Sequence, residues 1–355
     1  MLKRIIFGGR RALVTVLLTL SLPGLAGQKP VRFVAFGDGG SGAPMQYMTA
    51  KAMGEVCALR GCDFGLMLGD NIYVTGVESA NDPQFESKFE APYAPLKFPI
   101  YAVLGNHDTG GDGAQNSRGD FQVAYHYRKD RSTDRWRMPA RFYSFTAPLE
   151  RDPTHALVEF FALDSTPFTA VDLDLDPKWD PERYGPPHLR WLQDKLAQSR
   201  APWKIALAHH PYVSNGRQGN AGEYTPWRIA APTARGRPWK EFLDAGICNR
   251  GVDLYLSGHD HDLQWLRPVP ACGKTEFIVS GAVAGPARLG NERRNPAFYN
   301  NGKALGFFWI EITETELTGV VYELTLNREK SVGYLARGAD GNPAIAFQRT
   351  FTRQP

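Results

Sequence analysis

The sequence predicts an α/β fold built on two sheets, and three observations predict it. Short apolar runs ending in a group able to bind a metal recur five times along the chain. Such runs read as buried strands, and open α/β sheets bind ligands at the carboxyl ends of their strands. Segments with helical spacing lie between these runs. The last third instead carries strand candidates with few helical segments between them, which calls for a second sheet packed on the first rather than one doubly wound sheet.

Taken in order, Val31 to Gly37 is the first strand candidate and runs into Asp38. Pro44 to Leu59 follows with helical spacing, its apolar positions Met45, Met48, Ala52, Met53 and Val56 reading as plain core packing. Leu66-Met67-Leu68-Gly69 runs into Asp70, with Tyr73 three residues on, and Pro99 to Gly105 runs into Asn106-His107-Asp108. His188 to Gln198 and Trp239 to Ala245 are the next helical segments. Between them Trp203 to Ala208 runs into His209-His210. Val252 to Gly258 then runs into His259-Asp260-His261. Leu263–Leu266, Thr275–Val279, Gly306–Ile312 and Glu316–Leu326 complete the strand candidates. No internal repeat, coiled coil or low-complexity tract interrupts them.

The first 27 residues differ from the rest. Lys3, Arg4, Arg10 and Arg11 precede an apolar segment from Ala12 to Leu22, and Gly24, Ala26 and Gly27 follow. This is the layout of a signal peptide, and the apolar run is too short to span a bilayer; an uncleaved anchor is the alternative. The Arg10-Arg11 pair leaves twin-arginine export open beside the general route. A single domain is expected from residue 28 to 355, since α/β and two-sheet folds reach this length in one piece. The formal charge of +4 comes from 41 basic against 37 acidic residues. The leader holds four of the bases and no acid, so the remainder is neutral. Neither nucleic acid nor an anionic membrane is expected as partner.

Cys57, Cys62, Cys248 and Cys272 sit in an apparently exported chain, where disulfides persist. Proximity favours Cys57–Cys62 and Cys248–Cys272 among the three connectivities four cysteines allow. Two long loops are expected. Thr109 to Asp134 is rich in Gly, Asp and Arg, and Thr169 to Pro187 carries Asp172, Asp174, Asp176, Asp180 and Glu182. The acidic run lacks the glycine turn and distal Glu of a calcium-binding loop, so a solvated acidic loop is expected there.

Each candidate ligand taken singly has an ordinary explanation. A lone Asp after a strand caps a turn or helix, and a lone His is a satisfied polar group. Five such groups in order, each after an apolar run, together point to a metal site. Here the sequence resembles the calcineurin-like metallophosphoesterases, and within them the purple acid phosphatases of the small tartrate-resistant kind. The resemblance spans roughly Val31 to Ile345. It rests on Phe-Gly-Asp38-Gly-Gly, Gly-Asp70-Asn-Ile-Tyr73, Gly-Asn106-His107-Asp, Ala-His209-His-Pro-Tyr and Gly-His259-Asp-His261-Asp-Leu-Gln-Trp.

The resemblance implies a four-layer α/β/β/α sandwich, two mixed sheets flanked by helices, and a dinuclear centre. Asp38 is followed by Gly39-Gly40, where most relatives place Asp-x-His, and the resemblance puts Tyr73 in that place as a phenolate. Asp38, Asp70, Tyr73 and His261 would then form a hard, anionic set suited to Fe(III). Asp70, as a bridge, with Asn106, His209 and His259 would hold a divalent Fe, Zn or Mn. His209 is expected to ligate, with His210 pointing elsewhere. His107 resembles the histidine that orients phosphate or protonates the leaving group; a structural hydrogen bond is its alternative role.

The implied activity is hydrolysis of phosphomonoesters in mild acid by a metal-bound hydroxide, on small substrates and also phosphoproteins or nucleotides. The enzyme is expected to be secreted or periplasmic, without a stable membrane anchor, and a monomer. The segment Val213–Gln218 lacks the further histidine that relatives carry there, which leaves leaving-group protonation open, and the Thr169–Pro187 loop is expected to border the site. A phosphodiesterase or nucleotide pyrophosphatase on the same metals is one alternative reading. A secreted binding protein on a metallophosphatase shell is another, and redox chemistry at the metal pair could accompany hydrolysis.

Overall fold

The computed structural model describes residues 28–111, 115–149, 152–169, 176–225, 233–327 and 332–353. The leader and the Asp172–Asp174 part of the acidic loop lie outside them. In chain order the elements are β1 (Val31–Phe36), α1 (Pro44–Arg60), β2 (Phe64–Met67), β3 (Ile100–Ala102), α2 (Gly119–Tyr127), β4 (Trp136–Arg137), β5 (Tyr143–Ala147), β6 (Val158–Ala162), α3 (Pro181–Gln198), β7 (Trp203–Leu207) and α4 (Arg237–Gly246). They continue with β8 (Leu254–Ser257), β9 (Leu263–Leu266), β10 (Glu276–Ser280), β11 (Ala297–Asn301), β12 (Leu305–Ile312), β13 (Glu316–Asn327), β14 (Val332–Leu335) and β15 (Phe347–Thr352).

One sheet has the order β14-β13-β12-β1-β2-β3-β4, with β15 also paired to β13; the other runs β11-β9-β10-β8-β7-β6-β5. Both are mixed. In the first, β1 to β4 are parallel while β12 lies antiparallel to β1, so Phe33 is level with Phe64 on one side and Ile310 on the other. In the second, β6, β7, β8 and β10 are parallel, and β5 and β9 are antiparallel to their neighbours.

The period-2 alternation of strand side chains sorts the core into layers. Phe160, Ile205, Leu207, Leu254 and Leu256 face the first sheet and share one apolar core with Phe33, Phe64 and Leu66. Their neighbours Phe161, Ala206 and Tyr255 point the other way, onto Leu192 and Leu196 of α3 and Trp239, Phe242 and Leu243 of α4. Phe160 meets Phe33 and Phe64 edge-on, each at 5.4 Å between centroids. Such pairs add about 0.5–1.5 kcal/mol beyond the area they bury. On the far side of the first sheet, Ala50, Met53 and Val56 of α1 close the core. The molecule is therefore the four-layer α/β/β/α sandwich the sequence led us to expect.

Local signals explain the ends of α1. Pro44 occupies its first turn, where a missing N–H costs nothing, and Gly61 at φ 81° ends it with its N–H on the Cys57 carbonyl. The cysteines pair as proximity favoured, Cys57 with Cys62 and Cys248 with Cys272.

Several elements differ from expectation. The segment Thr109–Asp134 is not a continuous loop, because α2 lies within it and buries Gln122 and Tyr125. Helix α3 starts at Pro181 rather than after Pro187: Asp180 caps it by accepting from Glu182 N–H, and Pro186 and Pro187 fit inside it. The methionine stripe of α1 is only partly core, since Met53 is fully buried whereas Met45 is 39% exposed. The missed strand β6 also ends in a carboxylate, Asp164, but that one serves an arginine rather than the site described next.

Candidate metal centre

Parallel strands bring their carboxyl ends to one edge of a sheet. Here β1, β2 and β3 of one sheet and β7 and β8 of the other deliver all seven expected ligands to a single locus. Asp38 and Asp70 follow β1 and β2, Asn106 follows β3, and His209, His259 and His261 follow β7 and β8. Three of them, Asp38 (φ 58°), Asp70 (φ 51°) and His259 (φ 69°), adopt the left-handed conformation. Each such non-glycine residue costs roughly 1–2 kcal/mol, and strain of this kind collects at functional sites. Two glycines make the approach possible. A Cβ on Gly69 would stand 2.5 Å from His209 Nδ1, and one on Gly258 would stand 2.5 Å from Asp38 Oδ2.

The donors form two overlapping groups. In the first, ligand atoms of Asp38, Asp70 and His261 lie within 4.8 Å of one another. Tyr73 joins them, its hydroxyl 3.1 Å from His261 Nε2 and 3.4 Å from Asp38 Oδ1. Asp38 Oδ2 accepts the His259 backbone N–H at 2.9 Å, which fixes the carboxylate's orientation. In the second group, His209 Nε2 is 3.0 Å from Asn106 Oδ1, 3.2 Å from His259 Nδ1 and 3.5 Å from Asp70 Oδ1. With Nδ1–H donating to the Leu68 carbonyl at 2.9 Å, His209 turns its Nε2 lone pair to the cluster. Asp70 thus reaches both groups. His210 does not turn away as expected: its ring comes to 4.4 Å from that of His259, and one of its nitrogens lies within 4.8 Å of those of His209 and His259. The chain bends at His209-His210 instead of continuing as a strand, so the two adjacent side chains need not face opposite ways.

His107 lies at the mouth. Its N–H donates to Asp70 Oδ1 at 2.9 Å, its Nδ1 is 2.6 Å from the Val74 carbonyl, and its ring sits 4.5 Å from that of Tyr73. Asp38, Asp70 and His209 form a fully buried floor, while Tyr73, His107, His259 and His261 are half-buried and Val74 is exposed at the rim.

The charges in this floor test whether a cation fits. Buried carboxylates are stable only when paired or ligating. Among the described residues neither Asp38 nor Asp70 forms an ion pair with a lysine or arginine; their charged neighbours are histidines. Burial pushes the Asp70 carboxyl up, but His209, His107 and the His107 N–H outweigh it and hold it down at about 2. Burial, then Asp70 and Asp38, push the Tyr73 phenol well above its ordinary value. A phenolate there requires a strongly positive ion to offset those carboxylates. The donor set of carboxylate, phenol, imidazole and amide oxygen therefore fits a pair of cations, the harder one on the tyrosine side.

Asp108 closes the Asn106-His107-Asp108 motif, and the sequence alone assigns it no role. It is fully buried and accepts from the N–H groups of Asn71, Ile72 and Gly105 and from Gln122 Nε2, at 2.7–3.1 Å. It clamps the turns carrying Asp70 and Asn106 together. The full use of its oxygens by three backbone N–H groups and the Gln122 amide is invisible in sequence, although its place two residues after Asn106 hinted at it.

A sequence profile of the Calcineurin-like phosphoesterase family matches residues 31–263. Human tartrate-resistant acid phosphatase type 5 is 30% identical over 327 residues, covering 85% of this chain and 91% of that protein. Purple acid phosphatase 17 of Arabidopsis thaliana is 32% identical, with 83% and 81% covered. Among solved structures, GAP50, the anchor in the inner membrane complex of Plasmodium, shares the fold at a TM-score of 0.67 and 16% identity, with 92% of this chain and 90% of that one covered. On these matches the chain belongs to the calcineurin-like phosphoesterases and, within them, to the purple acid phosphatases.

Proposed function

We propose that this protein is an acid phosphatase that hydrolyses phosphomonoesters at a dinuclear Fe(III)–M(II) centre, M being Fe, Zn or Mn. The observation that carries the proposal is the position of Asp70, a buried carboxylate within reach of both donor groups. Asp38, Tyr73 and His261 would hold the trivalent ion and Asn106, His209 and His259 the divalent one, with Asp70 between them. A metal pair of this kind supplies an activated water and positive charge against the phosphoryl group. The chain's own residues do the rest. The fully buried floor keeps bulk water away, and the Asp108 clamp holds the Asp70 and Asn106 turns in place. His107 at the mouth has its Nδ1 engaged by the Val74 carbonyl, so its Nε2 is the atom left to orient a phosphate oxygen or to give a proton to the leaving alcohol.

The full donor set speaks against a non-catalytic binding protein, although the fold is shared with an anchor protein. The signal-peptide layout supports export to the periplasm or outside the cell, and no described helix is long and apolar enough to cross a membrane.

Two measurements test the reading together. Purified protein should cleave a nitrophenyl monoester faster than the bis-ester or ADP, and should show a visible tyrosinate-to-iron band that is lost in Tyr73→Phe. A colourless, fully metallated enzyme would reject the iron assignment. Faster turnover of the bis-ester would replace the monoesterase by a phosphodiesterase.

A further inference from the structure

The two-metal reading uses all seven expected ligands as the resemblance would place them, and it gives His210 no task. The structure sets His210 against the divalent group. Its side chain is 2% exposed, its ring lies 4.4 Å from that of His259 and 4.8 Å from that of His209, and a nitrogen of each of the three rings comes within 4.8 Å of the others. Two donors spanning one ion at about 2.1 Å each stand up to about 4.2 Å apart, so the three rings need only small adjustments to share a centre.

The remaining contacts of His210 are those of an oriented ligand. Its Nδ1 is 2.7 Å from Ser165 Oγ, and the same oxygen takes the His210 backbone N–H at 3.3 Å. With Nδ1–H donating to Ser165, the lone pair is left on Nε2, the arrangement by which ligating histidines are usually held. The His210 carbonyl is fixed from the other side by Trp239 Nε1 at 3.1 Å and Tyr255 OH at 2.7 Å, so the ring cannot drift with its backbone. Ser165 is itself buried, in the turn after β6.

We propose that His210 is a third imidazole ligand of the divalent site, oriented by Ser165, and that it biases this site toward Zn(II). The inference rests on the two-metal reading above. Three imidazoles beside the Asn106 oxygen and the shared carboxylate make a softer set than two imidazoles beside the same oxygens, and imidazole suits Zn where carbonyl and carboxylate oxygens suit Mn.

The test is metal competition on the full-length purified protein. The iron site is filled first, and the second site is then equilibrated with Zn(II) and Mn(II) together and read by metal analysis. In His210→Gln the bound Zn/Mn ratio should fall by roughly 10-fold or more, and Ser165→Ala should lower it less. With Co(II) in place of Zn(II), the paramagnetically shifted, exchangeable imidazole N–H signals should number one fewer in His210→Gln than in the parent. In Ser165→Ala that signal should persist but exchange faster with solvent. A His210→Gln protein with native circular dichroism, two bound metals, an unchanged Zn/Mn ratio and the same number of shifted N–H signals would overturn the inference and leave the phosphatase reading standing. A parent protein that takes up no second metal would overturn both.

Discussion

His188 offers a stability measurement whose size the structure sets in advance. Its side chain is fully buried, stacked on Phe142 at 4.1 Å and packed against Phe242 at 4.6 Å. Among the described residues neither ring nitrogen meets a hydrogen-bond partner. Burial dominates, with Asp164 opposing and Arg141 adding to it, and the pKa falls from 6.5 to about 3. The folded state therefore keeps this imidazole neutral where the unfolded chain protonates it. Above pH 6.5 neither state is charged and the group has no effect. Below it the unfolded state gains a proton that the fold refuses, so stability drains away as pH falls from 6.5 toward 3. Between pH 7 and pH 5 the loss is about 2 kcal/mol. For a chain of this length that is roughly 3 °C in melting temperature. In His188→Phe the planar ring remains and the proton site goes. Any packing cost of the larger ring is independent of pH, so the test lies in the difference. Melting temperatures of parent and variant, read by calorimetry at pH 7 and pH 5, should converge or cross by about 3 °C in favour of the variant at pH 5. An offset that is the same at both pH values would show that His188 is not held neutral by its aromatic box.

Three further outcomes follow from named contacts. Asp108→Ala removes the acceptor of four donors behind Asp70 and Asn106, and should lower metal affinity roughly 10–100-fold with native circular dichroism, read by equilibrium dialysis against a chelator. Glu90 pairs with Arg135 at 2.7 Å with both side chains buried, so Glu90→Gln should destabilise the fold by roughly 3–5 kcal/mol in urea unfolding. The Cys248–Cys272 bridge closes a loop with sequence separation 24, and Cys248→Ser with Cys272→Ser should cost roughly 3 kcal/mol under non-reducing conditions.

The strands that carry the candidate ligands are legible because their ends are encoded locally. An apolar run followed by Gly and a polar donor is a property of five or six consecutive residues, and Asp38, Asp70 and His259 each show it. β6 ends in a similar way, Leu157 to Leu163 running into Asp164 without the glycine, and its carboxylate is used by Arg141 and Tyr184. The glycine is the local difference, and the partner that decides how the carboxylate is used comes from elsewhere in the chain. Helix α3 is longer than its sequence signal for a related reason: the rule that prolines end helices is local, while the packing of Leu192 and Leu196 that steadies α3 is not.

By itself, then, the sequence determined the layered α/β architecture, the order of the strands that carry candidate donors, and which residues are candidates, since periodicity, turn chemistry and donor type are written in neighbouring residues. Only the tertiary structure decided that Asp70 reaches both donor groups, that Asp108 is a clamp, that His188 is buried among aromatic rings, and that His210 turns onto His259. These are distances between residues up to about two hundred positions apart, fixed when two sheets pack and a backbone bends, and no short stretch of chain contains them.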